Sequence, residues 1–344
     1  MSPKNLNASN KTHKNLIKNL RDKRILQIYK KFENTLCLNQ DFIVGVSGGS
    51  DSLALCFLTK IYSIKKSLNA YYFIVNHRLR KNSSTEAQSA KKLLKKYNIK
   101  SDILNWYGKK PISNIQSLAR NKRYSLLINQ AKKINIKTIL TGHHIDDLYE
   151  NFFIRISRGS GLNGLTSFSE KTQRGKVNII RPLIKFEKKQ LNYVTTKVFK
   201  FYMEDPSNED IKFKRVRIRK LIKNLKYDGL DKDKFLLTIK NLTDSNETIK
   251  FYVAKNLKDN SYIYKNKSKI ILNGEFFNQP HEVTFRSLTE IIKFVGDKYY
   301  SVRGKKVDII IGKLKSDSSI PLKLTLGNCI IYKVNQSVIV VKEH

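Results

Sequence analysis

Ser47-Gly48-Gly49-Ser50-Asp51-Ser52 is a run of small, hydroxylic and acidic residues set between apolar stretches at 42–46 and 53–58. Two adjacent glycines let a backbone approach an anion with no Cβ in the way. The first apolar stretch reads as a buried strand and the second as a helix. The turn between them then offers N–H groups and the positive end of a helix dipole to one spot. Ser47, Ser50 and Ser52 add hydroxyl donors, and Asp51 adds a carboxylate for a magnesium ion carried on phosphates. This chemistry selects a nucleotide triphosphate. No Gly-Lys-Ser/Thr follows this run and it lacks the G-x-G-x-x-G spacing, so it is neither the Walker loop nor the dinucleotide fingerprint. A turn that merely caps a helix is the competing reading.

Three further clusters carry chemistry. His143-His144-Ile145-Asp146-Asp147 is followed by Glu150, which lies i+4 from Asp146 and i+3 from Asp147 on a helix. Acids at a helix start also serve as caps, but two imidazoles beside three carboxylates can hold magnesium, bind a cation or relay a proton. Arg120 and Arg123 share one face of a helical stretch, and their forked guanidinium groups suit phosphate oxygens; a solvated basic face is the alternative. Arg215, Arg217 and Arg219 alternate with apolar residues after Asp205-Pro206-Ser207-Asn208, and a glycine-rich stretch runs from 158 to 165, suited to a lid or a simple C-cap.

These residues need elements to place them. Strands are expected at 42–46, 71–75, 103–106 and 138–141, alternating with helices at 84–97, 114–134 and 145–156. Repeated strand–helix units imply a parallel sheet with helices on both faces, with ligands at the carboxyl ends of the strands. Ser47 and His143 each fall just past a strand end, so one crevice can hold both. A basic helix around Leu16, Leu20 and Ile25 is expected to pack on this domain. The segment 220–250 is charged and helical, and beyond it a helix at 282–295 and strands near 322–326, 330–332 and 338–341 make a small α+β unit.

The 344 residues suffice for two cores, and 67 basic against 28 acidic residues leave a net charge of +39. Such a field favours a polyanionic partner, nucleic acid above all. Cys37, Cys56 and Cys329 are isolated and form no C-x-x-C pair, which fits a reducing cytoplasm. No apolar run is long enough to span a bilayer, so no membrane partner is expected.

The glycine loop resembles the S-G-G-x-D-S loop of the PP-loop ATP pyrophosphatases, which cleave ATP between its α and β phosphates. The resemblance extends further. Val75-Asn76-His77-Arg78-Leu79-Arg80, Ala119-Arg120 with Arg123-Tyr124, His143 to Asp147, Arg158 to Leu162 and Asp205 to Asn208 follow the order and spacing of the tRNA(Ile)-lysidine synthetase family across roughly residues 40–220. Thr325-Leu326-Gly327 is similar to the end of its first C-terminal domain, and the chain is expected to stop before the further one that the family often has. One departure is Asn76-His77-Arg78, where the family usually shows Asp-His-Gly.

The resemblance implies an α/β fold: a parallel-sheet PP-loop domain (Rossmann-like, adenine nucleotide alpha hydrolase-like), then a helical linker and a small α+β C-terminal domain. The expected boundaries are 1–40 for the basic N-terminal helix, 41–222 for the catalytic domain and 223–344 for the linker and a tRNA-binding domain. It implies ligation of free L-lysine to C2 of the wobble cytidine in the CAU anticodon of tRNA(Ile), through an adenylated cytidine. ATP and Mg2+ are the implied cofactors, the cytoplasm is the implied compartment, and a homodimer is allowed. ATP contacts fall to Ser47, Gly48, Gly49, Ser50, Asp51, Ser52, His77, Arg120 and Arg123, and the metal to Asp51 and Asp146. Catalytic roles fall to Asp51, His143, His144, Asp146, Asp147, Glu150 and Arg217. Thiolation of tRNA, amidation of a small molecule and silent RNA binding are the rivals; isolated cysteines, the high positive charge and the intact acids argue against them in turn.

Overall fold

The computed structural model describes residues 15–79, 82–108, 115–203, 214–264, 269–297, 302–316 and 322–343, with backbone only at 115–117. It divides into a unit of residues 1–231 and a unit of residues 232–344. That division lies nine residues beyond the expected one at 222/223, because a helix runs through Lys214–Tyr227 without a break.

The first unit alternates β1 (Phe42–Val46), α2 (Ser50–Lys66), β2 (Ala70–Asn76), α3 (Ser83–Lys96), β3 (Ser101–Asn105), α4 (Ile115–Lys133), β4 (Thr138–Thr141) and α5 (Ile145–Ile156). It continues through a short α6 (Leu162–Leu165), β5 (Lys171–Arg174), β6 (Val177–Ile180), α7 (Lys188–Phe199) and α8 (Lys214–Tyr227). The sheet order is β3-β2-β1-β4-β6-β5. Every pairing is parallel except that of the edge strand β5 with β6, so the sheet is mostly parallel, in line with the expected fold class. Polar Lys171-Thr172-Gln173-Arg174 suits an exposed edge that must not recruit another chain.

β1 is central, and four of its five residues are buried, as a strand covered on both faces demands. From β1 the chain proceeds to β2 and β3 on one side; β4 and β6 lie on the other. β1 and β4 therefore flank the point where the strand order reverses, and their carboxyl ends open one crevice.

Ahead of the sheet, α1 (Lys23–Thr35) starts at Asp22, whose carboxylate accepts from the amides of Arg24 at 2.9 Å and Ile25 at 3.0 Å. Ile25, Ile28, Tyr29 and Phe32 repeat at helical spacing and enter the same core as α2 and α7. Each is worth about 2–3 kcal/mol of apolar burial. The N-terminal helix thus packs on the sheet domain as its pattern requires.

The second unit holds α9 (Lys232–Asn260), β7 (Ser261–Ile263), β8 (Lys269–Leu272), α10 (His281–Val295), α11 (Gly304–Lys315), β9 (Leu322–Thr325), β10 (Cys329–Val334) and β11 (Ser337–Lys342). Its strands form an antiparallel sheet in the order β7-β8-β11-β10-β9. Side chains of α10 and α11 share a core with Ile270, Leu272, Ile331, Val338 and Val340. The expected helix and three terminal strands are present; β5, β6, β7, β8, α6, α7 and α11 are additions to the expected set. Among the described residues no helix is long and apolar enough to cross a membrane.

Candidate active site

The loop after β1 is tied by one hydroxyl. Ser52 Oγ accepts from the amides of Ser47 at 3.2 Å and Gly48 at 3.1 Å, and donates to the Gly49 carbonyl at 2.9 Å. Gly48 has φ +84°, where a side chain is strained. An added Cβ there would meet Met203 Cε, the movable end of a flexible side chain, so it is the backbone angle that demands glycine. The first turn of α2 follows, with N–H groups that have no acceptor within the helix.

Thr141-Gly142-His143-His144 carries the chain from β4 to α5 on the other side of the crevice. A Cβ on Gly142 would sit 3.1 Å from the backbone of Asp51, so this glycine lets the two loops touch. His144 and Asp147 form a reciprocal cap: Asp147 Oδ2 accepts from the His144 amide at 3.0 Å, and His144 Nδ1 accepts from the Asp146 amide at 3.3 Å. With Nδ1 accepting, the neutral ring carries its proton on Nε2. That nitrogen lies 3.6 Å from Asp51 Oδ2 and 3.7 Å from Asp147 Oδ2. Capping and chemistry are therefore two uses of the same residues.

One cavity of about 190 Å³ joins both loops. Ser47, Asp51 and Ser52 line it from the first, Gly142, His143 and Asp147 from the second, and Arg120, Arg123 and Arg215 from the flanking helices. Burial depresses the pKa of Arg123, with Arg120 and Arg215 adding repulsion. Cations held close in a desolvated cleft call for an anion. The same cluster acts on Asp147: burial alone would raise its pKa, but His144, His143, the His144 amide and Arg215 bring it down to about 2. Burial holds the His143 imidazole well below its ordinary pKa despite Asp147, and its Nδ1 lies 2.9 Å from Thr141 Oγ1.

Glu150 is 4% exposed and receives Arg219 Nε on Oε1 at 2.5 Å, while Oε2 is buried without a hydrogen-bond partner. Its pKa is raised by burial and by Asp147, against the pull of Arg219. Asp146 is turned outward to Lys226 Nζ at 2.8 Å. These two pairs tie α8 to α5.

Several expected residues are placed differently. Asp51 and Asp146 were expected to share a metal, but they approach opposite nitrogens of His144; Asp147 is the carboxylate on the same side as Asp51. Arg217 is exposed on α8, and the register of that helix brings Arg215 to the cavity and Arg219 to Glu150 instead. The segment Asp205-Pro206-Ser207-Asn208 lies outside the described residues. His77 is beside Arg123, and both its ring nitrogens are buried without a partner. Burial, then Arg123, lowers its pKa to about 4.

That shift has a consequence for stability. A folded pKa below the unfolded 6.5 makes the unfolded state the better proton binder, so stability is lost as pH falls from 6.5 to about 4. The loss is on the order of 3 kcal/mol. His77→Asn should flatten this part of the urea-midpoint profile; an unchanged slope would assign it elsewhere.

Arg78, which replaces the family glycine, has φ +52°. Its amide donates to Asn76 Oδ1 at 3.0 Å, and its guanidinium stands 5.0 Å from the Tyr107 ring centroid. The position is left-handed, which explains a glycine there. Arg78→Gly should gain about 1 kcal/mol, read as a raised urea midpoint; a lowered midpoint would mean that the stack on Tyr107 outweighs the strain.

Sequence reasoning missed Lys188 altogether. At the start of α7, its Nζ donates to both Asp51 oxygens, at 2.8 and 2.7 Å, and to Ser50 Oγ at 2.9 Å. Thr195, two turns on, donates to the Ser50 carbonyl at 2.7 Å. One lysine among the three of Lys185-Phe186-Glu187-Lys188-Lys189 gives no local signal; only the packing of α7 on α2 selects it.

A phosphate loop after β1, basic side chains around it and acids after β4, all at the switch point of a mostly parallel sheet, define a nucleotide-binding α/β protein of the PP-loop class. The family profile described as PP-loop domain matches residues 18–225. The chain is 31% identical over 308 residues to the tRNA(Ile)-lysidine synthase of Wolbachia pipientis wMel, covering 89% of this chain and 71% of that one. It is 32% identical to the enzyme so named from Orientia tsutsugamushi (strain Boryong), over 89% of this chain and 70% of that one. The chain belongs to the tRNA(Ile)-lysidine synthase family. The fold is also similar to that of the U34-tRNA thiolase NcsA from Methanococcus maripaludis, with a TM-score of 0.57 at 19% identity, covering 65% of this chain and 80% of that one.

Proposed function

We propose that the chain ligates free L-lysine to C2 of the wobble cytidine in the CAU anticodon of tRNA(Ile), with ATP converted to AMP and pyrophosphate. The observation that carries this reading is the single cavity in which the β1 loop, His143, Asp147 and Arg120, Arg123 and Arg215 converge. The triphosphate would lie along the loop amides and the arginines, which stabilise charge gathering at phosphorus. Attack of the cytidine C2 oxygen on the α-phosphate forms the adenylated base and expels pyrophosphate. The base must leave its stack to enter, as for other enzymes that work on a nucleobase.

Magnesium is a hard cation that takes oxygen ligands, and Asp51 with Asp147 supplies carboxylates on one side of His144. These two residues would hold it, and it would offset charge on the phosphates. The lysine ε-ammonium would meet the unpartnered Oε2 of Glu150. After losing a proton, the amine displaces AMP from C2; neutral His143 is the candidate acceptor of that proton. With these substrates the chain would work in the cytoplasm.

AMP release measured with lysine, a sulfide donor or ammonia, each with and without CAU tRNA, tests the reading. Release is expected only with lysine and tRNA together. Release driven by sulfide in place of lysine would overturn it.

A further inference from the structure

The second sheet has two unlike faces. Ile270, Leu272, Ile331, Val338 and Val340 point to one side and are buried with α10, α11 and Leu257 of α9. On the other side, the strand register aligns Tyr262, Ile271, Ile339, Tyr332 and Lys323 in one rung across all five strands. No member of this rung is buried, and Tyr262 is 65% exposed. The next rung begins with Lys269, whose Nζ lies 5.6 Å from the centroid of Tyr264. Lys323 Nζ likewise lies 5.8 Å from the centroid of Tyr332. Among the described outward-facing strand residues, every charged one is a lysine.

A protein that keeps tyrosines and isoleucines on an open sheet face has a use for them. Flat rings paired with ammonium groups suit a ligand that is planar, apolar on its faces and linked by negative charge. Unpaired RNA bases meet all three conditions: each has a π-face for stacking, and its phosphates seek cations. The chain-wide charge of +39 points the same way. A second copy of so basic a chain would bring lysines against lysines on this face.

We propose that this face is an RNA platform, with unpaired bases stacked on Tyr262 and Tyr332 and the adjoining phosphates held by Lys269 and Lys323. The proposal rests on the reading of an RNA substrate and adds a contact surface distinct from the ATP cavity.

The test uses the full chain and a fluorescent CAU tRNA transcript, with affinity followed over a salt titration. The pair Tyr262→Ala and Tyr332→Ala should lose at least about fivefold in affinity. Tyr262→Phe with Tyr332→Phe, which keeps the rings, should stay within twofold of wild type. Lys269→Gln with Lys323→Gln should flatten the salt dependence by between one and two counterions. Equal affinity for the alanine pair and wild type at every salt concentration would overturn the platform. So would a shift from dimer to monomer in sedimentation with unchanged RNA affinity, since a second copy would then own the face. If the alanine pair does not fold, Lys269→Glu with Lys323→Glu replaces it and must weaken binding. Lysine-dependent AMP release by the wild type is a separate readout: its absence would sink the ligation reading while leaving the affinity comparison able to decide the platform.

Discussion

Asp51→Asn is expected to lower AMP formation by about three orders of magnitude while leaving tRNA affinity within twofold of wild type. Removal of one preorganised group that meets transition-state charge costs about 10²–10³ in rate, and Asp51 serves two such groups. Its carboxylate anchors Lys188 Nζ through two contacts of 2.8 and 2.7 Å, and it sits with Asp147 on the side of His144 proposed above for magnesium. The asparagine keeps the shape but presents one acceptor and no charge. The fold should survive, because Lys188 is 44% exposed and a partly solvated pair contributes less than about 1 kcal/mol. Lys188→Met should weaken ATP binding by a smaller factor, since it removes the ammonium and leaves the carboxylate in place. Rates from pyrophosphate release under single turnover, with tRNA binding measured in parallel, decide the matter. Retained lysine-dependent AMP release in Asp51→Asn would remove the phosphates from this loop.

The order of elements through α5 was legible because each has an unmistakable period. β4 at Thr138–Thr141 and α5 at Ile145–Ile156 occur where apolar runs and caps require them. β5 and α7 were not legible. Lys171-Thr172-Gln173-Arg174 is strand only because it pairs with β6, and α7 is helix in a stretch whose apolar face is revealed by the core it meets. The same contrast divides the site. Ser47 to Ser52 and His143 to Asp147 are local motifs whose backbone geometry follows from their own residues. Lys188, Gly142 and the choice of Arg215 over Arg217 depend on which element lies opposite, 45 or more residues away in sequence. A helix with arginines at 215, 217 and 219 can turn any of them to the cavity; burial of Val216, Ile218 and Ile222 decides which. The carboxylate partner of Asp51 stood open between Asp146 and Asp147 for a related reason. Asp51 and Asp147 both approach His144 Nε2, whereas Asp146 approaches Nδ1, and only the folded loops reveal that difference.

Glu150→Gln should separate the two half-reactions. The substitution preserves size, and its Oε1 can still accept from Arg219 Nε, now 2.5 Å from the carboxylate. What changes is Oε2, a buried acceptor without a partner, which becomes an amide donor facing the proposed ammonium. Hydrogen bonds to charged groups contribute about 1.5–3 kcal/mol, so the apparent KM for lysine should rise by roughly 10- to 150-fold. Adenylation precedes lysine entry and should proceed at the wild-type rate, so adenylated tRNA accumulates. Acid pH should mimic the variant in the wild type: burial and Asp147 raise the Glu150 pKa, so the carboxylate protonates at higher pH than an ordinary glutamate and releases its hold on lysine. The variant, having no proton to gain there, should lose that part of the pH dependence of KM. Chromatography of tRNA after a single turnover at limiting lysine, repeated across pH, reads both effects. A rise in KM with the pH dependence intact would move lysine to another carboxylate, and a block in pyrophosphate release would give Glu150 to the adenylation step instead.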